Sequence, residues 1–246
     1  MTVGIHQPHY FPWLGFLDKV AKSDMFVILD QVQLEKGSQM IRNRVLDTNG
    51  NIKYLTIAAD TRNFLDREYR SIEIKDKDVW IRNQKNALIN YYRRSRCFDE
   101  AYAFMESFYK NDFTTLFEWV FESVKEVCRV LAIDTPFVLQ SEIEYDRDNR
   151  KSDMILEICR ALSADTYLSG HGGSSQYLVR EKFRDSGIEI RFQTFEHPVY
   201  RQYQKSEFLS GLSVIDALFN CGMKGTKNLF WKNFNEDTGN EDNYIS

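Results

Sequence analysis

The sequence predicts an α/β protein with a Rossmann-like, largely parallel sheet, and three observations carry that prediction. Short apolar runs at Val3–Ile5 and Phe26–Leu29 read as neighbouring buried strands of a parallel sheet, and Thr166–Leu168 and Ile188–Phe192 read as two more strands. Apolar residues at helical spacing separate the members of each pair, so strand–helix–strand units recur. Proline- or glycine-rich loops follow the first strand of each unit, where open parallel sheets keep their ligands.

In chain order, Val3–Ile5 leads through a loop into Trp13, Phe16, Leu17 and Val20, a helical stripe for which Pro12 suits the first helical position. Phe26–Leu29 closes this first unit. Val45–Leu46 and Tyr54–Ile57 then flank Asp47-Thr48-Asn49-Gly50-Asn51, a hairpin signal expected to add antiparallel strands to the sheet. Tyr69–Ile74 alternates as one more short strand. From about 78 to 131, Trp80, Ala87, Tyr91, Phe104, Phe108, Phe117, Phe121, Val124 and Cys128 recur at three or four, predicting a helical insertion with an aromatic core stripe. Thr135–Leu139 reads as a strand, and Ser152 as the N-cap of a helix over Asp153–Leu162. Gly187 stops the helix that follows Thr166–Leu168. A last short helix is expected over Ser213–Phe219. The prediction is one α/β domain over 1–234, with a polar, acidic and disordered tail over 235–246.

Composition excludes several classes. The formal charge of −4 at pH 7 leaves no diffuse basic surface for nucleic acid. There is neither a signal-peptide pattern nor a membrane-length apolar run, so the expected compartment is cytoplasmic. Cys97, Cys128, Cys159 and Cys221 are scattered without a C-x-x-C pair, which indicates neither zinc nor a disulfide scaffold.

Four groups of residues could carry chemistry. His6, Gln7, His9 and Tyr10 share a loop stiffened by Pro8 and Pro12, suited to a polar or anionic small ligand beside a helix N-terminus. His6 and His9 are the candidate catalytic bases. Ser169, Gly170, His171, Ser174 and Tyr177 belong to a Gly- and Ser-rich strand-to-helix turn, a cradle for phosphate or carboxylate or else a tight packing turn. That turn lacks the Walker A and G-x-G-x-x-G spacings. His197, Tyr200 and Gln202 form a third group able to bind hydroxylated ligands. Gln33 with Arg42, Asn43 and Arg44 form the fourth, in which an arginine fork could clamp a diphosphate or carboxylate. A doubly wound sheet would bring several of these loops to one pocket. No acidic partner stands at metal-ligand spacing from His6 and His9, and no G-x-S-x-G elbow supports a hydrolase.

Several of these residues fall in motifs that resemble the WbqC-like family of bacterial surface-polysaccharide gene clusters. They are Gln7–Phe16, Asp30–Gln33, Arg42–Arg44, Tyr167–Gly170 with Tyr177-Leu178, Pro198–Gln202 and Leu212–Gly222. Ser210-Gly211 departs from the family, whose members often carry a proline there. The resemblance implies O-antigen or similar glycan assembly. It further implies attachment of an amino-acyl group such as glycine to the amine of a nucleotide-linked amino sugar. A fainter similarity is to nucleotidylyltransferases, pantothenate synthetase among them. Trp13-Leu14-Gly15-Phe16 stands where those enzymes carry H-x-G-H, with Trp13 and Phe16 replacing both histidines. That similarity implies ATP with Mg²⁺ as cosubstrate, adenylation of a carboxylate, and attack by an amine with His6 or His9 as base. The alternatives are a glycosyltransferase or nucleotidyltransferase of the same pathway, or a non-catalytic nucleotide-sugar-binding partner.

Overall fold

The computed structural model describes residues 1–35, 37–172 and 177–241. The chain opens with β1 (Thr2–His6), α1 (Leu14–Ala21) and β2 (Met25–Ile28), the predicted strand–helix–strand unit. The hairpin β3 (Arg42–Leu46) and β4 (Ile52–Thr56) follows, then the helices α2 (Lys77–Tyr92), α3 (Phe98–Phe108) and α4 (Leu116–Leu131). The second half runs β5 (Phe137–Leu139), α5 (Lys151–Ala161), β6 (Thr166–Ser169), α6 (Arg180–Asp185), β7 (Glu189–Phe192) and α7 (Val214–Glu241).

Five strands pair in parallel in the order β5-β2-β1-β6-β7. Numbered along the chain, these are strands 3-2-1-4-5, the doubly wound order whose direction reverses between β1 and β6. Alternation along the strands explains the two layers. Val3, Ile5, Val27 and Leu29 face a core that includes Ile155, Ile158, Cys159 and Phe183 of α5 and α6. Phe26 and Ile28 face the opposite core, shared with Phe16, Leu17 and Val20 of α1 and with residues of α4 and α7. Gly4 permits the close approach of the turn between α1 and β2 and of the Phe26 ring: a Cβ there would stand 2.4 Å from Ser23 Oγ and 2.7 Å from the Phe26 ring. α4 carries a reciprocal capping box, with Glu118 N donating to Thr115 Oγ1 and Thr115 N donating to the Glu118 carboxylate.

Several expectations are corrected. The hairpin does not extend the main sheet but forms a two-stranded sheet of its own, closed by Asp47, which accepts from the backbone of Asn49 and Asn51. Of residues 69–74, expected as a strand, Tyr69–Ser71 form a 3-10 turn, and Glu73 and Ile74 make only isolated β-bridges, to Thr115 and Ala59. Their backbone is satisfied by the start of α4, with Leu116 N donating to Ile72 O and Ile74 N to Thr114 O. Ser152 does not cap α5: the helix begins at Lys151, and the serine hydroxyl accepts from Val179 N in the segment after β6. The last helix does not end at Phe219. It bends at Gly222 (φ 74°) and continues, anchored by buried Phe230 and by Trp231 Nε1 donating to Leu131 O. Residues 235–241, expected as disordered tail, extend this helix, because adding to a formed helix is far easier than starting one. The rest of the expected tail, 242–246, lies outside the described residues. No helix among the described residues is long and apolar enough to cross a membrane.

Candidate functional site

The strand order reverses between β1 and β6, so the loops leaving these strands border the crevice where sheets of this kind bind ligands. β1 ends in His6. Its side chain lies on the same face of the strand as Gly4, toward α1, and meets His9 edge-on at 4.8 Å between ring centroids. Phe16 packs against both rings, 5.5 Å from His6 and 4.8 Å from His9. His6 Nδ1 donates to the Gln7 carbonyl (2.8 Å), which leaves Nε2 as the unprotonated acceptor. His9 is only 9% exposed, and its buried Nδ1 has no hydrogen-bond partner among the described residues.

Beneath this pair lies Lys19, a residue that sequence patterning missed. It is 3% exposed, and its ammonium donates to the Ile5 carbonyl (2.9 Å), 5.9 Å from the ring centres of both Phe26 and Tyr167. Burial pushes its pKa down to about 7. Burial, reinforced by the nearby Lys19 charge and opposed by the bond to Gln7, lowers His6 to about 4. His9 falls well below the ordinary imidazole value through burial, then the charges of His6 and Lys19. Both imidazoles are therefore neutral at pH 7. The neighbouring Asp18 is held by Lys22 (3.3 Å) and by Gln193 Nε2 (2.6 Å), the first residue after β7.

The loop that presents His9 is braced from four directions. Tyr10 N donates to Gln39 O, and Phe11 N to Ser123 Oγ of α4. The Asn43 side-chain amide of β3 donates to the carbonyls of Tyr10 (3.0 Å) and Phe11 (2.9 Å). Ser213 Oγ also donates to Phe11 O, and Val214 N donates to Pro12 O. Phe11 itself is held at φ 39°, a left-handed conformation unusual for a bulky residue.

The other predicted residues are placed differently, and they do not converge on one pocket. Tyr10 is fully buried and its hydroxyl donates to Gln84, so it belongs to the core rather than to a ligand surface. Asn43 is likewise consumed as a bracket for the loop. Arg42 and Arg44 flank it on β3 and line a separate recess. Gln33 donates to Leu65 O at the surface, and Gln7 is half-buried. Ser169 is fully buried at the end of β6, with its hydroxyl donating to Gly170 O (3.1 Å). His171 is exposed and stacks on Phe192 of β7, on the side of β6 away from β1. Tyr177 lies at the surface, and Ser174 lies outside the described residues. His197 stacks against Trp13 at 6.4 Å, over the start of α1, with burial lowering its pKa.

Tyr200 and Gln202 turn inward to Asp216, a buried carboxylate of α7 that also accepts from Tyr92 (2.8 Å). Burial pushes the Asp216 carboxyl up, against the pull of those donors. These phenols and this amide are internal ties. The repeated proximity of motif residues explains why they occur together: the first loop, β3 and the start of α7 are bonded to one another.

The model of the WbqC-like protein family matches residues 7–228. The uncharacterized protein Rv1507c of Mycobacterium tuberculosis is 27% identical over 223 residues, covering 89% of this chain and 94% of that protein. No solved structure gives a significant match. The family match spans the loop that carries His9, the β3 bracket and the Asp216 helix together; the chain belongs to the WbqC-like protein family.

Proposed function

We propose that this chain is an enzyme of bacterial surface-glycan assembly, such as that of O-antigen. It transfers an amino-acyl group such as glycine onto the amine of a nucleotide-linked amino sugar, with ATP activating the carboxylate. The observation that carries this reading is the pair of uncharged imidazoles, His6 and His9, at the point where the parallel sheet reverses its strand order. Membership of the WbqC-like family supports the glycan setting.

In this reaction a carboxylate oxygen attacks the α-phosphorus of ATP and pyrophosphate leaves. The sugar amine then attacks the acyl carbon, the bond to AMP breaks, and the amine gives up a proton. His6 Nε2 is the acceptor that the Gln7 bond leaves open. An imidazole held near 4 is a weak base. Phosphates brought beside it favour its charged form and lift that value toward neutrality, so substrate binding itself strengthens the base. Lys19, buried under the same loop with its pKa lowered to about 7, would be drawn toward its charged form by negative charge developing above it. Among the described residues no cluster of His, Cys, Asp or Glu could hold a metal, so in this reading Mg²⁺ accompanies the phosphates.

The test is an assay with ATP, Mg²⁺, glycine and a panel of nucleotide-linked amino sugars, reading AMP and amide together. The expected result is their formation in equal amounts. His6→Ala should lower turnover by about 10²–10⁴-fold while nucleotide-sugar binding persists. Binding of a nucleotide sugar with neither AMP nor amide from any donor would instead establish a non-catalytic binding partner.

A further inference from the structure

The hairpin that forms its own sheet also forms a recess of about 200 Å³ with residues 37–39, distinct from the crevice at His6. None of its seven lining residues is acidic, and two are arginines. Arg42 is fixed in two ways: its Nε donates to Gly37 O (2.9 Å), and its guanidinium carbon lies 4.1 Å from the centre of the Tyr54 ring. Arg44 donates through Nη2 to Gly211 O (2.6 Å), while its buried Nε–H has no acceptor among the described residues. With no carboxylate in the lining, the remaining N–H groups of the two guanidinium forks are what the recess offers a ligand. Gly37 has φ +82°, and a Cβ there would come within 3.0 Å of Arg42 Nη2, so only glycine leaves the guanidinium in place.

We propose that this recess is a binding site for a small oxyanion, a carboxylate or phosphate group held between Arg42 and Arg44. Planar forks of this kind match the geometry of both anions. The volume lies below the roughly 300–1,000 Å³ of pockets for drug-sized ligands, so the recess takes a small ion or the anionic end of a larger molecule. Its wall is also the support of the first loop. Gln39 and Asn43 line it, and both are bonded to Tyr10. An anion here therefore sits directly behind the segment that presents His9. This inference stands on the recess alone and holds whatever reaction the histidines perform.

Calorimetric titration of the full chain with inorganic phosphate, pyrophosphate and acetate, at constant ionic strength set with chloride, tests it. The expected result is saturable binding of at least one of the three, weakened about 10-fold or more by Arg42→Ala and unchanged by His9→Ala. Gly37→Ala should weaken it similarly by displacing the guanidinium, which covers the case in which Arg42→Ala folds poorly. Preference for the phosphates over acetate, or the reverse, identifies the source of the anion. The proposal is overturned by no saturable binding of any probe, or by equal binding by the native chain and both recess variants. Loss of binding in His9→Ala but not in Arg42→Ala would place the anion at the crevice, ending this proposal and leaving the proposed reaction standing.

Discussion

Asn43→Ala is expected to destabilise the protein by about 3–5 kcal/mol and to lower its thermal midpoint by roughly 6–20 °C. Asn43 is 3% exposed and all of its bonds serve the backbone. Its amide feeds Tyr10 O and Phe11 O, and its oxygen accepts from Arg44 N at 2.8 Å. Alanine strands the Tyr10 carbonyl and the Arg44 amide in the interior, each at a cost of about 1–3 kcal/mol. Phe11 O retains the Ser213 hydroxyl, which limits the loss. Phe11, held in its strained conformation partly by this bracket, would relax and carry His9 with it. Urea denaturation gives the magnitude. A change below about 1 kcal/mol would mean that the stranded groups reach water, and that the loop is supported elsewhere.

Lys19→Met should act in the opposite direction, raising stability by a few kcal/mol near pH 6. An amine whose pKa falls from 10.5 unfolded to about 7 folded binds its proton more weakly in the native state. The unfolded chain therefore holds more protons between those values, and stability rises with pH from about 7 to about 10.5. At one pKa unit per 1.36 kcal/mol, the charged amine weighs on the fold below pH 7 by an amount on the order of 5 kcal/mol. His6, lowered from 6.5 to about 4, adds a second window in which stability falls as pH drops between those two values. Methionine fills much of the same space without the charge. The variant should lose the rise above pH 7 and keep a fall on the acid side. Urea midpoints measured from pH 5 to pH 10 decide the matter: parallel profiles for native and variant would refute the assigned burial cost. In the proposed reaction the firmer variant should also be the slower one.

The sheet was legible because its strands are short, apolar and interrupted by amphipathic helices. Val3–Ile5, Phe26–Leu29 and Thr166–Leu168 state their burial in their own composition. The hairpin was legible for its turn but not for its destination, since Asn49-Gly50 specifies a reversal and says nothing about which sheet receives it. Tyr69–Ile74 misleads because Ile72 and Ile74 alternate with Ser71 and Glu73, whereas the two fully buried residues, Tyr69 and Ile72, stand three apart as in a 3-10 turn. At the candidate site, proline and histidine marked the first loop. Lys19 escaped because lysine on a short helix ordinarily faces water, and only the third dimension places it under the sheet end. Tyr200 and Gln202 suggest a ligand surface in the sequence because their partner, Asp216, stands 16 and 14 residues further on, respectively.

The bracing of the first loop also sets when the loop can exist. Its backbone is completed by hydroxyls and amides at positions 43, 123 and 213, the last of them separated from Phe11 by 202 residues. During synthesis the first helical unit can form early, but the conformation that pairs His6 with His9 must wait until α7 has emerged and docked. Contacts so distant in sequence are slow to close and form late. A nascent or truncated chain would thus carry both imidazoles without their braced geometry, and in the proposed reaction chemistry would be available only to a molecule that has finished folding.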